Sequence, residues 1–281
     1  MEETFALPPT RRIAVVTGAN KGIGLEISKG LKVILTARDK KRGHEAVQSL
    51  HDSGLSDVVF HQLDLMDPIS IDSFDSFIRT RFQRLDILVN NAGISGAIFD
   101  AEAFISLNLK SGETAEGCLR TNYYGTEQVT EALIPLLLQS DSARIVNVSS
   151  ALGQLKFLSH ERANRVLGDI DSLTEEKIDE VIKEFLEDAK EDLLETKEWP
   201  INSSAYVVSK VAVNSYTRIL AKKLPNIIIN AVNPGFVRTD LSHNYGQFTV
   251  EEGARGPVML ALVPDGGPSG LFYNQIEVST F

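Results

Sequence analysis

A chain of 281 residues has material for one large α/β domain with a sizeable core, or for two small ones. Its formal net charge of −10 argues against nucleic acid or an anionic membrane as partner, since both call for a basic surface. The single cysteine, Cys118, excludes an internal disulfide and suits a reducing compartment, and no apolar run reaches the length of a membrane span.

Residues 1–11 belong to the start MEETFALPPTRR, which carries Glu2, Glu3 and Pro8-Pro9, so it resembles neither a signal peptide nor an Arg-rich transit peptide. It reads as a flexible leader to a cytoplasmic protein. Strand-like runs then recur at Ile13–Thr17, Lys32–Thr36, Val58–Leu63, Ile87–Asn90, Arg144–Val148, Asn226–Val232 and Leu271–Tyr273. Most are near-continuous apolar runs, as expected of strands covered on both faces. Helical patterns lie between them, so the expected fold class is α/β: a Rossmann-like doubly wound parallel sheet. No linker divides 12–281, and a single domain is expected.

Between the first two strands the chain reads TGANKGIG, with Gly18, Gly22 and Gly24 spaced G-x-x-x-G-x-G. Glycines let backbone approach a pyrophosphate, and a helix N-terminus offers free N–H groups. A tight structural turn would use the same glycines; the strand before and helix after make a dinucleotide site the better reading. After the second strand, where an NAD site usually places an acid, the chain reads Thr36-Ala37-Arg38. Arg38 and Lys21 would attract a 2′-phosphate, so NADPH is the expected cofactor.

Asp67-Pro68 opens a helix with Ile71, Phe74, Ile78 and Phe82 on one face, and a second helix runs from Thr121 to Leu138. Residues 153–200 read as a helical insert. Ser172 and Glu175 look like a capping box, followed by an apolar stripe of Ile178, Val181, Ile182, Phe185, Leu186 and Ala189. Asp171 to Glu198 holds 12 acidic and 4 basic residues, so most of the net charge sits there. A helix lying on the domain with its charged face in water is expected. The five histidines show no metal-ligand spacing along the chain, and no metal is expected.

Tyr206 and Lys210, four apart in NSSAYVVSK, share one face if the segment is helical, although that spacing alone proves little. Together with Asp64, NNAG at 90–93, Asn122 in TNYYG, VNVSS ending at Ser150 and NPGFVRTD at 233–240, it completes a pattern. The chain resembles the short-chain dehydrogenase/reductase superfamily over Thr17 to Asp240. Its wording is most similar to the carbonyl-reductase-like group, which includes plant menthone and salutaridine reductases.

That resemblance implies an NADPH-dependent reduction of a small, fairly apolar ketone or aldehyde, such as a terpenoid or alkaloid carbonyl. Tyr206 would donate the proton, Ser150 would orient the carbonyl oxygen, and Lys210 would hold the nicotinamide ribose. Asn122 would hold a water linking Lys210 to solvent. The lysine ammonium at roughly 5 Å, in an effective dielectric near 20, would stabilise the phenolate by about 3 kcal/mol, lowering the phenol by about two pKa units. By the same resemblance Asn91 would contact the cofactor ribose, Asp64 the adenine and Thr239 the carboxamide. The remaining implied cofactor contacts are Asn20, Ile23, Leu65, Ala92, Gly93, Pro234, Gly235 and Val237. The insert implies a monomer, and candidate pocket walls are Ile94–Ala103, Gly153–Phe157 and Leu241–Gln247.

Two departures stand out. The helix after the glycine loop is short, which predicts a strained connection to Arg38, and the flap from Ile94 to Thr121 is shorter than in relatives, which predicts a more open pocket. The alternative function is a catalytically silent relative that binds or scaffolds.

Overall fold

The computed structural model describes residues 12–95 and 112–281. The expected leader at 1–11 and the part of the expected flap at 96–111 lie outside the described residues.

Alternate strand residues pack into two separate apolar layers, which is why the strand sequences are apolar almost throughout. Ile13, Val15, Leu88 and Ile145 face one layer; Ala14, Val16, Val89 and Val146 face the other. The strands are β1 (Ala14–Val16), β2 (Val33–Ala37), β3 (Val58–Gln62), β4 (Ile87–Asn90), β5 (Arg144–Val148), β6 (Ile228–Asn233), β7 (Phe272–Asn274) and β8 (Glu277–Ser279). They form one sheet in the order β3-β2-β1-β4-β5-β6-β7-β8. Every pairing is parallel except β7 with β8. The chain reverses its direction of travel across the sheet between β1 and β4, the kind of switch point at which α/β sheets bind ligands.

The first layer is closed by α3 (Pro68–Arg81), α4 (Gly112–Leu119), α5 (Gly125–Leu137) and α8 (Ser204–Lys223). The second is closed by α1 (Gly22–Lys29), α2 (Lys40–Asp52) and α9 (Val250–Ala261). Helix α3 starts as its sequence predicts: Asp67 accepts a hydrogen bond from the Ile69 N–H at 3.0 Å, and Pro68 follows in the first turn. Ile71, Phe74 and Ile78 are buried.

The expected strain in the first crossover is not present. Residues 17–32 exceed the dozen or so that a parallel crossover needs, and β2 enters in register, Ala14 opposite Val33 and Val16 opposite Leu35. Gly30 closes α1 in an ordinary conformation (φ −89°), its N–H donating to the Ile27 carbonyl at 3.1 Å. Helix α1 is eight residues long, and its N-terminus follows directly on the glycine loop.

In the insert, α6 (Glu161–Gly168) precedes α7 (Glu175–Lys190). The cap of α7 is Thr174, whose hydroxyl accepts from the Lys177 N–H at 3.4 Å; Ser172 instead accepts from the Lys177 ammonium at 2.8 Å. Ile178, Val181, Ile182 and Phe185 are buried as the stripe predicts, and α7 lies against α4 and α8.

Candidate active site

The glycine loop runs from the end of β1 into α1. Gly18 and Gly22 have φ of +61° and +58°, conformations that disfavour any side chain, and a Cβ on Gly18 would lie 2.9 Å from the Ala92 backbone. The α1 N-terminus has no side-chain cap and no acid in its first turn, so its N–H groups and partial positive charge are left to whatever enters the cleft. The loop is stitched to the segment after β4. The Thr17 hydroxyl accepts from the N–H groups of Asn91 and Ala92, both at 3.0 Å, and Asn91 Nδ2 donates to the Thr17 carbonyl at 2.9 Å. Gly24 makes room for that amide, since its Cβ would lie 2.4 Å from Asn91 Nδ2. The donor group of Asn91, expected on a ribose, is engaged in holding the loop.

One cleft of about 1040 Å³ runs along the ends of the strands. Gly18, Asn20, Lys21, Gly22, Ile23, Gly24, Arg38, Asp64, Leu65, Asn91, Ala92 and Gly93 line it. So do Ser150, Tyr206, Lys210, Pro234, Gly235, Val237 and Thr239. Asp39, the acid nearest the end of β2, accepts from the Arg42 N–H at 2.9 Å and caps α2 instead of facing this cleft. That hydrogen bond is the main reason its carboxyl is held below the usual carboxylate range. Asp64 keeps one oxygen on the Met66 N–H at 3.0 Å. Thr239 forms a capping box with Ser242.

At the far end of the cleft, Ser150 leaves β5 and caps a 3₁₀ turn, Ala151–Gly153, accepting from the Leu152 N–H at 3.2 Å. Its side chain stands beside Tyr206 and partly offsets the upward push on the phenol. Tyr206 is half-buried. Lys210, one helical turn on along α8, is 5 % exposed and donates to the Val148 carbonyl at 2.8 Å, with Nζ 5.7 Å from the centre of the Tyr206 ring. The phenol is not made more acidic as the simple Coulomb argument expects. Burial pushes Tyr206 up to about 12, against a smaller opposing effect of Ser150, and burial pushes Lys210 down to about 8. Desolvation outweighs the attraction here, and the ammonium sits over the ring and is hydrogen-bonded elsewhere.

Asn122 stands behind the cleft lining, buried in a π-helical turn, Arg120–Tyr124. Its Oδ1 accepts from the Ile94 N–H at 2.8 Å, while Nδ2 donates to the Ile94 carbonyl at 2.9 Å and the Ser209 hydroxyl at 3.0 Å. Both amide hydrogens are thus engaged by protein. A π-turn at such a site re-aims one side chain without breaking the helix.

The pocket walls differ from expectation in two places. Ile94, Ser95 and Leu241 to Asn244 line the cleft but Tyr245–Gln247 do not, and on the remaining wall it is Ala151 and Leu152, not Gly153–Phe157. Residues 96–103 lie outside the described residues. Leu152, Phe236 and Met66 also line it and carry no sequence signal beyond being apolar residues in loops.

A His–carboxylate cluster does exist in space, although the sequence spacing shows none: ligand atoms of His160, Glu184 and Asp188 lie within 4.8 Å of one another. Its geometry is that of a cap and ion pairs. His160 Nδ1 accepts from the Ala163 N–H at 3.2 Å, so a neutral ring carries its hydrogen on Nε2, the atom facing Glu184. Asp188 accepts from Trp199 Nε1 at 2.9 Å, and Arg162 pairs with Glu184.

Comparison with known proteins agrees with this geometry. The family model for short chain dehydrogenases matches residues 12–161 and 195–249, leaving most of the insert outside. The chain is similar to salutaridine reductase of Papaver somniferum, 49 % identical, whose solved structure superposes with a TM-score of 0.88 over 94 % of this chain and 99 % of that one. The sequence alignment with that enzyme spans 300 positions, more than the 281 residues here, so the relative carries stretches that this chain lacks. It is also similar to (+)-neomenthol dehydrogenase of Arabidopsis thaliana, 51 % identical over 97 % of this chain and 99 % of the relative. A mouse (Mus musculus) protein, carbonyl reductase (NADPH) 3, is 43 % identical over 90 % of this chain and 91 % of its own. The chain belongs to the short-chain dehydrogenase/reductase family, and it is an oxidoreductase of carbonyl-reductase type.

Proposed function

We propose that this protein reduces a small, fairly apolar ketone or aldehyde to the alcohol with NADPH, the substrate being of terpenoid or alkaloid type. One observation carries the reading: a phenol, a serine beside it and a buried ammonium end the same cleft that begins at a glycine-rich, uncapped helix N-terminus. The residues fit the cofactor. Gly18 and Gly22 open the backbone for a pyrophosphate, Arg38 and Lys21 supply cations for a 2′-phosphate, and Asp39 is turned away to cap α2. The names of the relatives support the substrate class, and that of the mouse enzyme supports NADPH.

Bound in this cleft, the cofactor supplies hydride to the carbonyl carbon. Tyr206 gives its proton to the carbonyl oxygen, and Ser150 holds that oxygen and its developing charge. Because burial keeps the phenol fully protonated near neutrality, the acid is always loaded, and the charge of Lys210 then stabilises the phenolate left behind. Asn122 acts at one remove, fixing the Ile94 backbone beside the pocket. Residues 12–281 serve as one reductase domain, monomeric because α7 covers α4 and α8. No described helix is long and apolar enough to cross a membrane.

The test is NADPH oxidation followed at 340 nm with a panel of cyclic ketones. Turnover by the wild type, lost by about 10² or more in Tyr206→Phe with NADPH affinity retained, is expected. NADPH binding without oxidation by any ketone would favour the silent, scaffold-like alternative.

A further inference from the structure

The 3₁₀ turn that carries Ser150 is pressed against α8 with no room for a side chain. A Cβ on Gly153 would lie 2.7 Å from Ser149 Oγ, 2.9 Å from Asn214 Nδ2 and 2.9 Å from the Lys210 carbonyl oxygen. Asn214 stands one helical turn beyond Lys210, so Tyr206, Lys210 and Asn214 follow one another along a single stripe of α8. Its Nδ2 donates to the Gly153 carbonyl at 2.8 Å, and the Gly153 N–H in turn donates to the Ser150 carbonyl at 2.9 Å. Just past the turn, Gln154 Nε2 donates to the Thr280 carbonyl at 2.8 Å, so the turn is held from both sides.

The Asn214 amide is only half satisfied. The residue is 2 % exposed, and its Oδ1 has no hydrogen-bond partner among the described residues. A buried acceptor left unpaired costs stability, so an apolar side chain of like size would fill the space better if packing were its task. The donor is what the position needs.

On the reductase reading above, we infer that Asn214 is a positioning residue for carbonyl reduction: its clamp on Gly153 fixes the turn that presents the Ser150 hydroxyl to Tyr206. The two hydroxyls must converge on one oxygen, and misplacement by about 1 Å costs on the order of 10²-fold in rate. Asn214 touches neither substrate nor cofactor in this role.

The test is Asn214→Leu, which keeps the volume, removes the donor, and exchanges the orphan Asn214 Oδ1 for an unpaired Gly153 carbonyl. With one buried acceptor unpaired before and after, it is expected to fold about as well as wild type, to bind NADPH with affinity within about twofold, and to lose about 10- to 100-fold in kcat. In a Ser150→Ala background the same change is expected to cost almost nothing further, since Asn214 acts through Ser150. Full kcat in Asn214→Leu, or a loss that multiplies with that of Ser150→Ala, would overturn the inference. A crystal structure of the variant gives an answer independent of turnover: a Ser150 hydroxyl unmoved relative to Tyr206 would also overturn it. Should the leucine variant fail to fold, Asn214→Ala takes its place in each measurement. A wild type that binds NADPH but reduces nothing overturns the reductase reading instead, and the crystal structure still decides whether the clamp sets the Ser150–Tyr206 contact.

Discussion

Lys21 in the glycine loop and Asp240 in the turn after β6 form an ion pair across the mouth of the cleft. The hydrogen bond from Lys21 is the main reason the Asp240 carboxyl is held below its usual range. Both side chains are more than half exposed, at 54 % and 67 %, so the pair is worth about 1 kcal/mol at most. Lys21 is also one of the two cations offered to a 2′-phosphate. Asp240→Asn is therefore expected to tighten NADPH binding about two- to fivefold and to leave NADH binding unchanged. A fluorescence titration of both nucleotides checks this; equal tightening of the two would show that Lys21 serves the pyrophosphate instead.

Arg38 gives the complementary prediction. It stands exposed at the end of β2 and lines the cleft. A charge-assisted hydrogen bond contributes about 1.5–3 kcal/mol, so Arg38→Ala is expected to weaken NADPH about 10- to 100-fold with little effect on NADH. Parallel titrations decide it, and equal losses for both nucleotides would remove the case for a 2′-phosphate site.

Burial places Lys210 at about 8 and Tyr206 at about 12. The ammonium is charged below its pKa, so the reduction is expected to hold a plateau up to about pH 8 and fall above it, with no limb from the phenol in that range. Lys210→Arg keeps its charge throughout and is expected to lower the rate while abolishing the limb near pH 8. The pH dependence of kcat between pH 6 and 10 distinguishes them. A limb unmoved by the arginine would assign it to another group.

The inner strands were legible because β1, β2, β4, β5 and β6 lie between two apolar layers and so are written largely in Val, Ile and Leu. β8 was not: Glu277–Ser279 offers a single apolar residue, and it is the turn at Gln275, φ +59°, that folds it back on β7. The cap of α7 fell on Thr174 because two hydroxyls stood within three residues and only geometry chooses between them. At the site, residue types and order identified the cleft lining, whereas the state of those residues depends on burial, which one sequence does not show. Tyr206 illustrates this: Lys210 at i+4 suggests a lowered phenol, and the environment raises it. Asn214 was invisible for the same reason, since nothing in its local sequence marks an amide with one partner.

The insert contains a pH-dependent contact with a sign that can be worked out. Glu127 on α5 is pushed up to about 7, chiefly by burial, with Asp179, Glu131 and Glu175 adding like charge and a hydrogen bond from the Tyr123 hydroxyl at 3.0 Å opposing. Asp179 on α7 is raised as well, again mainly by burial. Of the cations, Lys223 pairs with Glu175. A carboxyl whose folded pKa lies above its unfolded value binds its proton more tightly in the folded state. Its contribution is complete below about pH 4.5 and is lost as pH rises through 7. The wild type is therefore expected to lose stability between pH 5 and pH 8. Glu127→Gln still accepts from Tyr123 but carries no charge, so it should flatten that slope and be more stable at pH 8 by about 1 kcal/mol after allowance for partial solvent screening. The only tryptophan, Trp199, is buried in the insert and stacked on His160 at 4.0 Å, so its fluorescence in urea titrations at the two pH values reports the docking directly. Equal slopes for wild type and Glu127→Gln would mean that the carboxyl is already ionised in the folded protein.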